Sequence, residues 1–188
     1  MHDEHNFDLL NSSYRKQHRI REQFRNDIEQ HIHRLLRANN IEPHQIESRT
    51  KTFESIVDKC KRKEITANDD LSNIHDLTGI RIITNHRSEY HAVSDIIDKH
   101  LDIIPGLSED KSNQLDYNVF DYLSIHKTAR IPKSLCSELE WGYCEDFSFE
   151  VQIRTILQHA WALTSHEILY KREDIIPKKI KRRISLLA

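Results

Sequence analysis

The chain has 188 residues, of which 37% are hydrophobic and 31% charged, and its formal net charge is −2. This size and composition fit one domain with a real core, and the near-neutral charge does not indicate a nucleic-acid-binding protein. No apolar run approaches the roughly 18 residues of a membrane-spanning helix, and the polar start is no signal peptide. We therefore expect a cytoplasmic protein, without membrane contact, whose three cysteines are free thiols.

Helical patterns dominate the first part of the chain. Apolar residues at helical spacing predict a long helix over 8–39, which we treat as an N-terminal segment of its own, 1–44. The remaining region, 45–188, ends within a helical pattern, so we expect it to be truncated or to end in a helix. The elements predicted there are a short extended piece at 46–49, a helix at 52–64, a strand at 79–84, a helix at 88–101, strands at 122–131 and 147–154, a helix at 155–170 and a last basic helix from Pro177. This order predicts an α+β fold in which helices cover a small mixed β-sheet.

Polar residues occupy two stretches that bear on function. Residues 107–121 are polar and acidic and predict a surface loop. The strands at 122–131 and 147–154 alternate with a period of two, with one polar and one mostly apolar face, which by itself is typical of half-solvated antiparallel strands. Their polar faces nevertheless hold an unusual set of groups, contributed by Tyr122, Ser124, His126, Arg130, Glu150, Gln152 and Arg154.

The three glycines, Gly79, Gly106 and Gly142, are isolated, so the sequence contains no glycine-rich loop for phosphates. A protein of this composition must bind nucleotide phosphates with side chains if it binds them at all. The segment from Arg49 to Lys63 offers them, with six basic and two acidic residues and a local charge of +4. Basic side chains neutralise charge on a transferring phosphate, and two carboxylates from separate elements can hold Mg²⁺. The inventory therefore favours a phosphoryl- or nucleotidyl-transfer site.

An ordered set of motifs carries a resemblance to a known family. The blocks are Ser48-Arg49-Thr50-Lys51 with Lys59, His75-Asp76-Leu77-Thr78-Gly79-Ile80-Arg81-Ile82, Tyr122-Leu123-Ser124-Ile125-His126, Phe149-Glu150-Val151-Gln152-Ile153-Arg154-Thr155, and Gln158-His159-Ala160-Trp161 on to Tyr170-Lys171. This set resembles the RelA/SpoT synthetase domain of the alarmone (guanosine tetra- and pentaphosphate) synthetases. The resemblance implies a nucleotidyltransferase-like mixed sheet and an enzyme that moves pyrophosphate from ATP to the ribose 3′-OH of GDP or GTP.

The resemblance also implies a donor side for ATP. Arg49 and Arg81 are similar to the pair that grips the adenine, and Lys51 and Lys59 to the phosphate contacts. Asp76 resembles the main Mg²⁺ ligand and is expected to be catalytic.

On the acceptor side the resemblance implies a further set of roles. Glu150 resembles the second catalytic carboxylate, which either ligates the metal or accepts the proton of the attacking hydroxyl. Tyr122 resembles the residue that stacks on the acceptor guanine. Support on the acceptor side is expected from Ser124, His126, Gln152 and Arg154.

The acceptor itself stays open at this stage. The family usually has a glycine before the stacking tyrosine and a polar or basic residue after it, whereas this chain has Asp121 and Leu123. The preceding loop, usually basic, carries Glu109, Asp110 and Asp116. The second hypothesis is therefore a toxin-like relative that pyrophosphorylates the 3′ end of tRNA, and the third is a catalytically degenerate domain that binds nucleotide or a partner. The N-terminal helix is expected either to assemble a homo-oligomer or to cover the sheet.

Overall fold

The computed structural model of the protein describes residues 2–62, 71, 73–110 and 124–163, with the backbone alone for 2–6, 109 and 110. Its helices are α1 (His2–Ala38), α2 (Phe53–Lys61), α3 (Arg87–His100), α4 (Lys133–Glu138) and α5, described over residues 156–163. Its strands are β1 (Gln45–Thr50), β2 (Thr78–Thr84), β3 (Asp102–Ile103), β4 (Glu109–Asp110), β5 (Ile125–Arg130) and β6 (Ser148–Thr155). The rest of the helix predicted at 155–170 and the basic helix predicted from Pro177 lie outside the described residues.

The strands form one mixed sheet in the order β1-β2-β6-β5-β3, with β4 also paired to β5. Strands β2 and β6 are parallel neighbours at its centre, and the other pairs are antiparallel. The predicted α+β fold with a mixed sheet is therefore confirmed. Among the described residues, no helix is both long and apolar enough to cross a membrane.

One face of the sheet is apolar and forms the main core with α1 and α3. The alternation of β5 and β6 places Ile125, Ala129, Phe149, Val151 and Ile153 on this face, all of them buried. The stripe of α1 that packs against them is also fully buried, and it consists of Phe24, Ile28, Ile32 and Leu36. The first helix thus covers the sheet, which leaves the opposite, polar face for a site.

A second apolar cluster fixes the elements at the edge of that polar face. Leu10 of α1 packs with Ile56 of α2 and with Leu71, Ile74 and Leu77 in the turn before β2. Thr52 caps α2 by accepting a hydrogen bond from the Ser55 amide. The hydroxyl of Tyr14 donates to the carbonyl of Lys51 at 3.0 Å, which ties α1 to the end of β1. These contacts set where α2 and the turn before β2 meet the sheet.

The structure corrects two sequence predictions. The extended piece predicted at 46–49 is a complete edge strand that pairs with β2 along its whole length. The prediction of a loop throughout 107–121 is wrong at residues 109 and 110, which pair with β5. Such a two-residue strand is held by main-chain hydrogen bonds, so no alternation of side chains announces it.

Candidate functional site

The polar face carries a row of four side chains that are register partners across four strands. We call Glu47, Arg81, Gln152 and His126 the Arg81 row. Arg81 donates from Nη1 to Glu47 Oε2 at 2.7 Å and from Nε to Gln152 Oε1 at 3.3 Å. Gln152 Nε2 then donates to Oε2 of Glu150 at 2.7 Å. Polar side chains are therefore connected from the edge of the sheet to its centre.

The next row contains a gap. Arg49, Gly79, Glu150 and Thr128 are the register partners here, and we call them the Gly79 row. Because Gly79 has no side chain, open space remains between Arg49 and Glu150. A cavity of about 220 Å³ occupies this part of the face, and it is lined by Glu47, Ser48, Arg49, Gly79, Ile80, Arg81, Glu150 and Gln152.

A second cavity, of about 390 Å³, adjoins the first, and four basic and two acidic side chains line it. Arg49, Glu150 and Gln152 line both cavities, so the two form one cleft. Its other lining residues come from the end of β1, from α2 and from the turn before β2: Thr50, Lys51, Thr52, Ser55, Lys59, Arg62 and Asp76. The cleft therefore combines an open sheet surface with a pocket suited to several negative charges.

The carboxylate of Asp76 accepts hydrogen bonds from both lysines that line the second cavity. Its Oδ2 pairs with the ammonium group of Lys51 and, at 2.8 Å, with that of Lys59. Burial by itself would raise the pKa of Asp76, but the two ammonium groups outweigh it, and the pKa lies below its ordinary value. Burial also lowers the pKa of Lys51, which is 9% exposed. Asp76 is thus an ionised carboxylate held at the wall of the cleft.

Glu150 is held from two sides at the centre of the face. Its Oε1 lies 3.0 Å from His126 Nδ1, and its Oε2 accepts from Gln152. Burial raises the pKa of Glu150, while the hydrogen bonds from His126 and Gln152 lower it further than burial raises it. The charge of Asp76 acts in the raising direction, which shows that the two carboxylates are close enough to repel each other.

Two of the predicted site residues are buried beside the cleft and do not line it. Ser124 is fully buried, and its Oγ lies 2.7 Å from His126 Nε2. Arg154 is 3% exposed and donates from Nη2 to Gln152 Oε1 at 2.7 Å. Burial lowers the pKa of Arg154 to about 9. Both side chains are therefore buried neighbours of the cleft, where Ser124 contacts His126 and Arg154 contacts Gln152.

Tyr122, predicted to stack on the acceptor base, lies outside the described residues together with Asp121 and Leu123. The other predicted site residues are brought together on one face. Sequence reasoning missed Glu47, which lines the cleft on the same side of β1 as Arg49. The period of two along β1 contains that signal, because residues 47 and 49 of one strand share a face.

The sequence model described as "Region found in RelA / SpoT proteins" matches residues 48–175, which include Asp76, Glu150 and the whole sheet beyond Glu47. The chain belongs to the RelA/SpoT family.

Two curated proteins are similar to this chain. The GTP pyrophosphokinase YwaC of Bacillus subtilis (strain 168) is 35% identical over 135 residues, which are 71% of this chain and 61% of the relative. The GTP pyrophosphokinase YjbM of the same strain is 24% identical over 139 residues, or 74% of this chain and 62% of the relative. The chain therefore spans about three fifths of the length of each of these curated relatives.

A solved structure shows that the fold is shared. The crystal structure of the small alarmone synthetase 1 from Bacillus subtilis superposes with a TM-score of 0.65 at 21% identity, covering 88% of this chain and 83% of that one. The RelA/SpoT fold of this chain thus places two carboxylates and a group of basic side chains around one cleft.

Proposed function

We propose that the chain is a pyrophosphokinase that transfers pyrophosphate from ATP to the ribose 3′-OH of GDP or GTP and so makes guanosine tetra- and pentaphosphate. The observation that carries this proposal is that Asp76 and Glu150 line the same cleft as Lys51, Lys59 and Arg49. A reaction between two polyphosphate nucleotides needs such cationic compensation. The names of the two curated relatives, both GTP pyrophosphokinases, support it.

The lysines supply the binding charge for the donor phosphates. Lys51 and Lys59 already converge on one anionic oxygen, that of Asp76. The oxygens of a triphosphate are also anionic hydrogen-bond acceptors. A triphosphate offers each lysine an oxygen of its own, whereas both lysines share one carboxylate oxygen of Asp76. Binding of ATP then exchanges partners: the lysines contact the β- and γ-phosphates, and the carboxylate of Asp76 becomes available to a cation.

The two carboxylates fit Mg²⁺. Mg²⁺ is commonly bound by one or two carboxylates together with substrate phosphates and water, and Asp76 and Glu150 supply that number of ligands across one cleft. Their mutual repulsion would be offset by a cation between them. In the described part of the chain, no group of three or more His, Cys, Asp or Glu side chains is arranged to hold a metal, so the other ligands would come from substrate and water. When bound, the ion neutralises charge on the phosphate oxygens of the donor.

The transfer itself balances as an in-line displacement. The acceptor 3′-oxygen forms a bond to the β-phosphorus of ATP, the bond from that phosphorus to the α,β-bridging oxygen breaks, and AMP leaves. In the alternative to metal ligation, Glu150 accepts the proton of the 3′-hydroxyl, since it is ionised and is held in place by His126 and Gln152. Arg49 and Arg81 bind the adenine of ATP, and Tyr122 stacks on the acceptor base.

The homo-oligomer and the cytoplasmic location stay predictions.

A label-transfer experiment tests this function and its alternatives. ATP labelled with ³²P at the γ-position is incubated with Mg²⁺ and, in separate reactions, with GDP, GTP, AMP or deacylated tRNA. We expect label in GDP or GTP, and none with a Glu150→Gln variant. Label in tRNA alone would favour the toxin-like hypothesis. If ATP binds but no acceptor is labelled, the degenerate-domain hypothesis would be favoured.

A further inference from the structure

The guanidinium group of Arg81 is fixed along its edge. Glu47 accepts from Nη1 at 2.7 Å, and Gln152 accepts from Nε at 3.3 Å. All N–H bonds of a guanidinium lie in its plane, so hydrogen bonds at two nitrogens set the direction of that plane. The two flat faces carry no donors, and the Arg81 side chain lines the cavity of about 220 Å³, from which a planar ring can approach it.

Glu47 lies where this contact can influence a ligand. It is the register partner of Arg81, and both side chains line the cavity of about 220 Å³. The side chains of Glu47 and Arg81 are 34% and 26% exposed, and an ion pair of that exposure contributes little to fold stability. The ion pair matters for the site instead, because it sets the orientation of the Arg81 guanidinium group in the wall of the cavity.

The hydrogen bond from Arg81 to an oxygen at position 47 must hold the guanidinium group against neighbouring positive charges. Burial and the charges of Arg81 and Arg49 lower the pKa of Arg154, while the charge of Glu47 acts in the opposite direction. Three guanidinium groups are thus near one another, and the charge of Glu47 offsets part of their mutual repulsion. Without it, Arg81 would be repelled by the two other arginines and would lose the bond that fixes its edge.

We propose that Glu47 is a positioning residue of the donor site, which holds the Arg81 guanidinium so that its flat face stacks on the purine base of the donor nucleotide. The inference rests on the proposed function, since it takes this cavity as the place of the donor base. A simple repulsive role for Glu47 predicts the opposite sign, because removing a negative charge near a triphosphate would then strengthen donor binding.

Calorimetry with α,β-methylene-ATP and Mg²⁺ tests the proposal, since this analogue cannot lose pyrophosphate. Glu47→Ala should weaken its binding by roughly 5- to 50-fold, the range for a lost stacking contact. Glu47→Gln keeps an oxygen that accepts from Arg81 and should stay within about 3-fold of the wild type. Inorganic triphosphate, which has no base, should bind both variants within about 2-fold of the wild type. Glu42→Ala, at an exposed glutamate just before β1, is the matched control and should change nothing.

A double-mutant cycle separates positioning from other effects. In an Arg81→Ala background, Glu47→Ala should change binding of the analogue by less than about 2-fold, because Glu47 acts through Arg81. In the assay for label transfer, Glu47→Ala should raise the KM for ATP and leave kcat nearly unchanged.

Four results would overturn the inference. They are unchanged or tighter binding of the analogue by Glu47→Ala, equal loss in the Ala and Gln variants, equal weakening of inorganic triphosphate, and a full effect in the Arg81→Ala background. If the wild type transfers pyrophosphate and any of these is found, the inference alone fails. If the wild type does not bind the analogue at all, the proposed function fails with it.

Discussion

At the scale of single residues, the cleft depends on Asp76, where two lysines converge. Asp76→Asn removes one negative charge and leaves a side chain of the same shape, which still accepts hydrogen bonds from Lys51 and Lys59. We expect the variant to fold and its kcat/KM for pyrophosphate transfer to fall by at least about 100-fold. The substitution removes the negative charge that would hold Mg²⁺ beside the donor phosphates. Steady-state transfer at saturating Mg²⁺, with circular dichroism as the check of folding, measures this.

Asp58→Asn is the control for that experiment. Asp58 lies on the exposed side of α2, close to the same basic segment, so the variant removes an equal charge away from the cleft. It should keep transfer within about 2-fold of the wild type. If Asp76→Asn is folded and as active as this control, Asp76 has no role in the reaction.

Gly79 matters because of the side chain it lacks. A methyl group at this position would meet Cγ and Nε of Arg49 at 3.8 Å, an ordinary contact, so Gly79→Ala should fold and gain up to about 1 kcal/mol in unfolding free energy. The same methyl group enters the cavity between Arg49 and Glu150. We therefore expect the KM for ATP to rise by roughly 5- to 50-fold, measured by label transfer over a range of ATP concentrations.

Gly142→Ala gives the comparison. A Cβ there has no neighbour within 4 Å, and the residue lies in a 3-10 turn away from the cleft. Its KM for ATP should equal that of the wild type. An unchanged KM in Gly79→Ala as well would show that the gap in the Gly79 row holds no part of the donor.

At the scale of elements, α1 is the layer that closes the apolar face of the sheet. Ile28 is fully buried in the core that α1 shares with β2, β5 and β6. Ile28→Ala should lower the free energy of unfolding by about 2–5 kcal/mol, the usual cost of such a cavity. Urea denaturation measures it, with Gln30→Ala at an exposed position of the same helix as the control. A loss in Ile28→Ala no larger than in the control would mean that α1 does not stabilise the sheet.

The central strands could be predicted from the sequence because their alternation matches the two faces of the sheet. As the alternation of β6 predicts, Phe149, Val151 and Ile153 are buried in the core, and Glu150 and Gln152 lie on the opposite face. The alternation fails at Lys127, which lies on the core side of β5. Its ammonium group donates to Asp98 of α3 at 2.5 Å. A long side chain that reaches a partner across two elements is not visible in a pattern of single residues.

Only those site residues that belong to the recognised sequence motifs could be predicted. The resemblance singled out Asp76, Glu150 and the lysines by motif. Nothing in a linear reading pairs Glu47 with Arg81, because that pairing depends on the register of an edge strand whose sequence predicts only a short extended piece. The short strands β3 and β4 escaped prediction for the related reason that two residues carry no periodicity.

At the scale of the whole molecule, the cysteines report on global unfolding. All three are free thiols, as expected from the sequence, and Cys136 and Cys144 are 2% and 1% exposed. Burial raises the pKa of all three thiols, and that of Cys144 to about 12. Pulses of N-ethylmaleimide followed by mass spectrometry should label the partly exposed Cys60 at least about 100-fold faster than the other two.

The same labelling links stability to the core. Cys136 and Cys144 belong to the main core with Ile28, so the destabilised Ile28→Ala variant should expose them more often and label them faster. Equal labelling of all three cysteines in the folded wild type would contradict the packing described for this region.

The most direct test of the central claim is the fate of the phosphates of ATP. The claim is that the cleft between Asp76 and Glu150 transfers the β- and γ-phosphates together, so ³¹P nuclear magnetic resonance of a reaction with GDP and Mg²⁺ should show AMP and a 3′-pyrophosphorylated guanine nucleotide appearing in equal amounts. The Asp76→Asn and Glu150→Gln variants should show neither product. Release of ADP in place of AMP, or equal product from the wild type and both variants, would contradict the account.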